Sequence, residues 1–213
     1  MGGLDKTLAP LAGEPLIART VEVFERSPNV GSVVLMVAER NVEAVRKLAA
    51  ERGWAKVAGV CPGGERRQDT VRLGLAALPE GDWVVVHDGA RPLVDAALIA
   101  AGLAAAAATG AAVAALPAAE TIKRVAGGAR VVETLDRGEL VIAQTPQVFR
   151  RDVLERAHRE VTDDVTDDAA MVERLGVEVR IFPGDPANVK VTTPSDLAVA
   201  GALLAAARER AGA

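Results

Sequence analysis

Cysteine occurs once in the 213 residues, tyrosine not at all, and aromatic side chains make up 2% of the chain. The lone Cys61 excludes an intrachain disulfide framework and any multi-thiolate metal site. Histidine is nearly as scarce: His87 and His158 lie far apart, with no HxxxH-type spacing, so zinc-centred chemistry is not indicated. Two Trp and three Phe cannot furnish a platform for base stacking. The charge is balanced, 25 basic against 29 acidic residues for a net −4, which gives no footprint for a nucleic-acid duplex. The N-terminus shows no basic stretch followed by an apolar one, so no secretory signal is read there and a cytoplasmic location is expected. Long apolar runs are missing with one exception. Residues 96–119 carry no charge and could span a bilayer, but they are mostly alanine, broken at Thr109-Gly110, and contain Pro117. They read as an Ala-rich helix followed by a buried strand.

What is present is hydrophobic bulk. Half the residues are hydrophobic, so a sizeable core must be built from Val, Leu, Ile and Ala. At ~150 residues per domain the length suits one domain with an elaboration. The runs Ser32–Val37 and Trp83–His87 are continuous and apolar, as parallel strands covered on both faces would be. A further strand is read over Lys56–Val60. Between and after them the pattern predicts helices over Asn41–Arg52, with Asn41 as N-cap, and over Thr70–Leu78 and Ala96–Thr109. Then follow a strand Ala112–Leu116, helices Arg151–Glu160 and Asp167–Leu175, strands Val177–Phe182 and Asn188–Val191, and a last helix opened by Thr193-Pro194-Ser195-Asp196. This alternation argues for an open, doubly wound α/β sheet. The stretch from Thr121 to Ala143 breaks the rhythm: Thr121–Val125 and Ala129–Leu135 are joined by Gly127-Gly128, a hairpin signal. The region at about 117–143 is therefore a candidate dimerisation arm, or else a loose surface hairpin.

Four segments carry chemistry. Gly2-Gly3-Leu4-Asp5-Lys6 joins flexible backbone to a lysine that could meet an anion. Gly63-Gly64 lead through Arg66 and Arg67 to Thr70 at a helix start, where backbone N–H groups and guanidinium can approach phosphate. His87-Asp88-Gly89-Ala90-Arg91-Pro92 follows the most apolar strand, and ligands of open α/β sheets bind at such carboxyl ends. There Asp88 and Arg91 either serve an anionic, hydroxylated substrate or brace the turn, while His87 reads as a core residue. In Asn188-Val189-Lys190-Val191-Thr192 a lysine interrupts an apolar alternation, which is costly unless its ammonium faces an anion. The acids of Thr166-Asp167-Asp168-Ala169 read as helix capping, and Cys61 as a small apolar residue.

In order and spacing, these segments resemble the 2-C-methyl-D-erythritol 4-phosphate cytidylyltransferase family of the non-mevalonate isoprenoid pathway. The likeness runs from Gly3 to about Leu204 and also takes in Leu11-Ala12-Gly13, Glu120-Thr121-Ile122-Lys123 and Gln144-Thr145-Pro146-Gln147-Val148-Phe149. The resemblance implies a Rossmann-like nucleotidyltransferase sheet with an inserted β-hairpin arm, swapped in a homodimer. It implies transfer of a cytidylyl group from CTP to methylerythritol phosphate, with Mg²⁺ and release of pyrophosphate. It puts Lys6 and Lys190 in catalysis, Lys6 against the triphosphate. The nucleotide would meet Gly3, Lys6, Gly63, Gly64, Arg67, Thr70, Asp88 and Gly89, and the sugar phosphate Asp88, Arg91, Thr121 and Arg151. Asp88 is the candidate metal ligand. With Thr121 and Arg151 on or beside the arm, the site would be shared between subunits.

The chain departs from the family at its start. There the family has an apolar strand and a Gly-rich loop with an arginine, ahead of the region that begins here at Met1, and Met1-Gly2-Gly3 resembles the tail of that loop. That strand belongs in mid-sheet, so an unpaired buried edge is expected. On the sequence alone a pentitol-phosphate cytidylyltransferase, acting on ribitol 5-phosphate, and an inert nucleotide-binding fragment stay open as alternatives.

Overall fold

The computed structural model describes residues 6–212. After a 3-10 turn, Lys6–Leu8, two short strands, β1 (Pro10–Leu11) and β2 (Glu14–Pro15), form an antiparallel ladder. Its tight return runs through Ala12 and Gly13, at φ of 48° and 84°. Pro15 then admits α1 (Leu16–Arg26), whose apolar residues Leu16, Ile17, Val21 and Phe24 recur at helical spacing and are all buried. An alternating series follows: β3 (Val33–Val37), α2 (Val42–Arg52), β4 (Val57–Pro62), α3 (Arg67–Ala77), β5 (Trp83–Val86), α4 (Ala96–Ala106) and β6 (Ala111–Pro117). The hairpin β7 (Lys123–Ala126) and β8 (Arg130–Thr134) leaves the end of β6, and β9 (Val141–Arg150) returns the chain to the sheet. The remainder is α5 (Arg151–Glu160), α6 (Asp168–Arg174), β10 (Arg180–Pro183) and α7 (Pro194–Gly212).

The main sheet has the order β10-β6-β9-β5, with β10 parallel to β6 and β9 antiparallel to both of its neighbours. Strands β3 and β4 form a separate parallel pair. Helices α3, α5 and α6 cover one face of the main sheet around Phe149, Leu154 and Met171. On the other face α1 and α4 pack through Phe24, Ile99 and Phe182. Ile17, Ala18 and Val21 of α1 also pack on β3 and β4, so this helix bridges the two sheets. Among the described residues the edges of β3 and β5 are not bonded to one another, and a cavity of about 560 Å³ opens between them, lined also by α1 and α3.

The structure differs from the sequence reading at four points. Strand β9 was not foreseen, because Pro146 argues against a central strand. The structure accommodates Pro146, whose bond to Thr145 is cis, where the β6–β9 register shifts between Val113 and Ala115. The strand expected over Asn188–Val191 is an irregular loop, and that over Val177–Phe182 contracts to β10. Asn41 makes no side-chain cap. Its φ of −104° and ψ of −6° are already near-helical, because the 3-10 turn Glu39–Asn41 leads into α2. The other caps form: the Asp167 carboxylate accepts from the Ala170 N–H at 2.9 Å, and the Thr193 hydroxyl accepts from the Asp196 N–H at 3.2 Å.

Candidate active site

The apolar strand β5 ends in a turn held by its own residues. The Arg91 N–H donates to the Asp88 carbonyl at 2.9 Å, and His87 Nε2 meets the Arg91 carbonyl at 3.2 Å. A carbonyl can only accept, so Nε2 carries the proton and Nδ1 accepts from the Thr145 hydroxyl at 3.1 Å. Thr145 Oγ1 in turn accepts from the Asp88 N–H at 3.0 Å. Burial pushes His87 down to about 4, so the ring is neutral at pH 7 and serves as a brace. From α1, the Thr20 hydroxyl donates to the Gly89 carbonyl at 3.1 Å.

The loop Asn188–Thr192 docks on this turn through the Val191 N–H, which donates to Ala90 O at 2.8 Å. Lys190 thereby reaches Asp88: Nζ lies 2.9 Å from Oδ2, and Arg91 Nε lies 3.4 Å from the same oxygen. Burial pushes the Asp88 carboxyl up, but Lys190, Arg91 and Arg67 outweigh it and hold the group below its ordinary value. Arg91 is only 9% exposed and also donates from Nη1 to the Asn188 carbonyl at 2.7 Å. Asn188, fully buried, donates from Nδ2 to the Thr145 carbonyl at 2.7 Å. The Asp88–Arg91 pair therefore braces the turn, and with Lys190 it concentrates charge at the carboxyl end of β5.

A second loop leads from the end of β4 into α3. The Gly63 N–H donates to the Val37 carbonyl at 2.8 Å, and the Gly64 N–H to the Thr70 hydroxyl at 3.0 Å. A Cβ on Gly64 would lie 2.6 Å from Cβ of Asp69 and 3.1–3.2 Å from backbone, so only glycine lets the loop lie this close to α3. Arg67 and Thr70 project from the first turn of α3 and line the cavity together with His87, Asp88 and Gly89. The result is a cleft lined by the Arg67 guanidinium and Thr70 from the start of α3 and by the Asp88 carboxylate from the end of β5, with Lys190 and Arg91 paired to that carboxylate.

The remaining expected residues divide. Gly3 lies outside the described residues, and of Lys6 only the backbone, in the first turn, is described. Thr121 is exposed at the base of the hairpin, just before β7. Arg151 is a correction. It donates to the carbonyls of Gly81, Leu78 and Pro79 and pairs with Glu155 at 3.2 Å, clasping the turn before β5. Because β9 runs antiparallel to β5, its last residues lie beside Trp83, at the opposite end of β5 from Asp88. Arg151 is therefore neither beside the arm nor in the cleft. Sequence reasoning also missed Thr145 and Asn188, which hold the two loops together. Their signal was their presence in matched motifs without an assigned role.

Among the described residues no group of three or more His, Cys, Asp or Glu could hold a metal. Of the carboxylate residues lining the cavity, Glu80, Asp82 and Asp88, the last is the one at the carboxyl end of β5. Both its cationic partners take Oδ2, leaving Oδ1 outside those ion pairs. A single carboxylate suits a magnesium ion that draws its other ligands from phosphate and water.

Comparison with known proteins follows the same lines. Residues 1–206 match the model of the family described as IspD, 2-C-methyl-D-erythritol 4-phosphate cytidylyltransferase. A protein of that name from Dehalococcoides mccartyi is 47% identical over 204 residues, covering 96% of this chain and 90% of that protein. One from Pelotomaculum thermopropionicum is 45% identical over 210 residues, covering 96% and 88%. The crystal structure of 2-C-methyl-D-erythritol 4-phosphate cytidylyltransferase from Thermus thermophilus superposes with a TM-score of 0.77 at 32% identity, over 93% of each chain.

Proposed function

The chain belongs to the 2-C-methyl-D-erythritol 4-phosphate cytidylyltransferase family, an isoprenoid-pathway enzyme family, and we propose that its cleft joins CTP to methylerythritol phosphate by cation-assisted phosphoryl chemistry. The observation that carries this reading is the convergence of Lys190 and Arg91 on one oxygen of Asp88, a residue that lines the cavity together with Arg67 and Thr70. Two anions must meet there, so mutual repulsion is the main obstacle, and fixed cations lower it by positioning and by charge stabilisation. A phosphate oxygen of the sugar phosphate forms a bond to the α-phosphorus of CTP. The bond from that phosphorus to the bridging oxygen breaks, and pyrophosphate leaves with the electron pair. Substrate phosphate is already nucleophilic at neutral pH, and the neutral, buried His87 is not needed as a base.

On this reading the Gly63-Gly64 loop, Arg67, Thr70 and Gly89 hold the nucleotide, while Arg91 and Lys190 hold the reacting phosphates. Gly3 and Lys6 join the triphosphate side. Asp88 would bind Mg²⁺ through Oδ1, and the ion would supply Lewis-acid polarisation and charge neutralisation when bound. The hairpin supports a homodimer. Its Val125, Val131 and Val132, with Val141 and Ile142 at its base, are exposed apolar side chains on a projecting ribbon, a costly arrangement unless covered. Thr121 would then complete a partner's cleft. No helix among the described residues is long and apolar enough to cross a membrane. Two water-soluble phosphates as substrates fit a cytoplasmic enzyme.

Pyrophosphate release from CTP with methylerythritol phosphate, run beside ribitol 5-phosphate, tests the activity. Preference for the first is expected, and preference for the second would move the chain to the pentitol-phosphate enzymes. CTP binding without turnover on either sugar would mark an inert nucleotide binder. Sedimentation is expected to give a dimer that Val131→Asp dissociates, and a monomeric wild type would refute the arm's role.

A further inference from the structure

Behind the nucleotide wall lies a buried ionic network that the reaction itself does not use. Asp168, at the start of α6, is fully buried, and its Oδ2 lies 2.7 Å from Nη1 of Arg67. That oxygen has no aligned hydrogen bond, so its compensation is the ion pair. The other oxygen, Oδ1, accepts from His158 Nε2 at 3.1 Å, and the His158 side chain, on α5, is 4% exposed. The start of α6 is itself pinned to β9. The Gln147 side chain donates to Asp167 Oδ2 at 2.8 Å and accepts from the Ala169 N–H at 3.3 Å. The carboxylate is thus fixed from three elements, α5, α6 and β9, and it points a single charge at one cation.

That cation is the one that leaves the core. Arg67 keeps a third of its side chain exposed, lines the cleft, and lies near enough to Asp88 for its charge to hold that carboxyl down. Full burial of a carboxylate is costly, and packed apolar residues would serve stability at least as well. A histidine–carboxylate pair that orients a ligand-facing guanidinium has a use that stability alone does not supply.

We propose that Asp168, aligned by His158, is a positioning residue that fixes the guanidinium of Arg67 for the phosphates of CTP. This rests on the cleft being the CTP site. Calorimetric titration of CTP with Mg²⁺ into wild type and variants tests it independently of turnover. Asp168→Asn is expected to weaken CTP about tenfold, the scale on which second-layer partners act. The KM for CTP should rise by the same factor, while kcat and the KM for the sugar phosphate stay within about twofold. In an Arg67→Ala background Asp168→Asn should add nothing. His158→Leu should weaken CTP in the same way, and His158→Gln, which keeps a donor, should restore most of the loss. The idea is overturned if CTP affinity is unchanged in Asp168→Asn, or if the loss is as large without Arg67. Should Asp168→Asn not fold, the Leu and Gln variants at 158 decide by the same criteria. Wild type that binds CTP but does not turn over would instead fail the enzymatic reading and leave this one standing.

Discussion

Lys190 and Arg91 share an oxygen of Asp88, yet their replacement by alanine should differ in what it does to stability. The Lys190 side chain is 45% exposed, and exposed ion pairs contribute under ~1 kcal/mol. Lys190→Ala should lower the melting temperature by less than ~4 °C in a domain of this size. Turnover should fall about 10²- to 10³-fold, because a cation aimed at developing phosphate charge acts mainly in the transition state. Arg91 is 9% exposed and donates to the carbonyl of the fully buried Asn188. Its loss leaves that buried carbonyl with only the long 3.5 Å bond from Gln144 Nε2, beside a half-buried carboxylate, a cost of about 2–3 kcal/mol and thus a fall of roughly 4–12 °C. Turnover should suffer as well. Thermal melting and initial-rate pyrophosphate release on the same preparations separate the two. Equal melting losses in both variants, or a Lys190→Ala enzyme with near-normal kcat, would show that the cluster is structural bracing.

Further outcomes follow from other contacts. His87 is pushed down to about 4 in the fold from an ordinary 6.5, so the unfolded chain binds its proton first as pH falls. Stability should be complete above pH 6.5 and drop by about 3 kcal/mol on the way to pH 4, and His87→Gln should flatten that part of a melting-versus-pH profile. Asp88, held low, keeps its share of stability until pH falls below the usual carboxylate range. Gly64→Ala drives a Cβ into Asp69 and backbone and should weaken CTP in calorimetry. Gly63→Ala meets only the Thr70 side chain, at 3.0 Å or more, and should weaken it less. Gly102→Ala would put a methyl 2.7 Å from Val148 and 2.9 Å from Phe182, costing about 1–3 kcal/mol in denaturant titration with CTP affinity intact.

The parts of the fold that could be read in advance are those with local causes. Trp83–Val86 is β-branched and bounded by turn residues, and Gly127 and Gly128 adopt φ of 59° and 76°, which few other residues tolerate in succession. The cost argument at Lys190 found its anion, although the strand assigned to it does not form. The alternation is real, since Val191 is buried, but the backbone spends its hydrogen bond on the Ala90 turn instead of on a ladder. Arg151 went astray because its position depends on the direction of β9, and strand direction is set by pairing with β5 and β6, which no local pattern encodes. Asp168 was read as one more capping acid. Capping explains Asp167, while the partners of Asp168 lie ten residues away on α5 and a hundred away on α3.

The seam between β3 and β5 bears on how the molecule comes apart. Among the described residues no ladder crosses it, so the lobe of β3, α2 and β4 is attached through α1 and α3 by side-chain packing. Such a lobe is a natural unit of partial opening, able to swing or melt while the four-stranded body stays intact. The Gly63-Gly64 loop rides on that lobe, whereas Asp88, Arg91 and Lys190 ride on the body. A triphosphate gripping both the lobe and the body would act as a rivet across that seam.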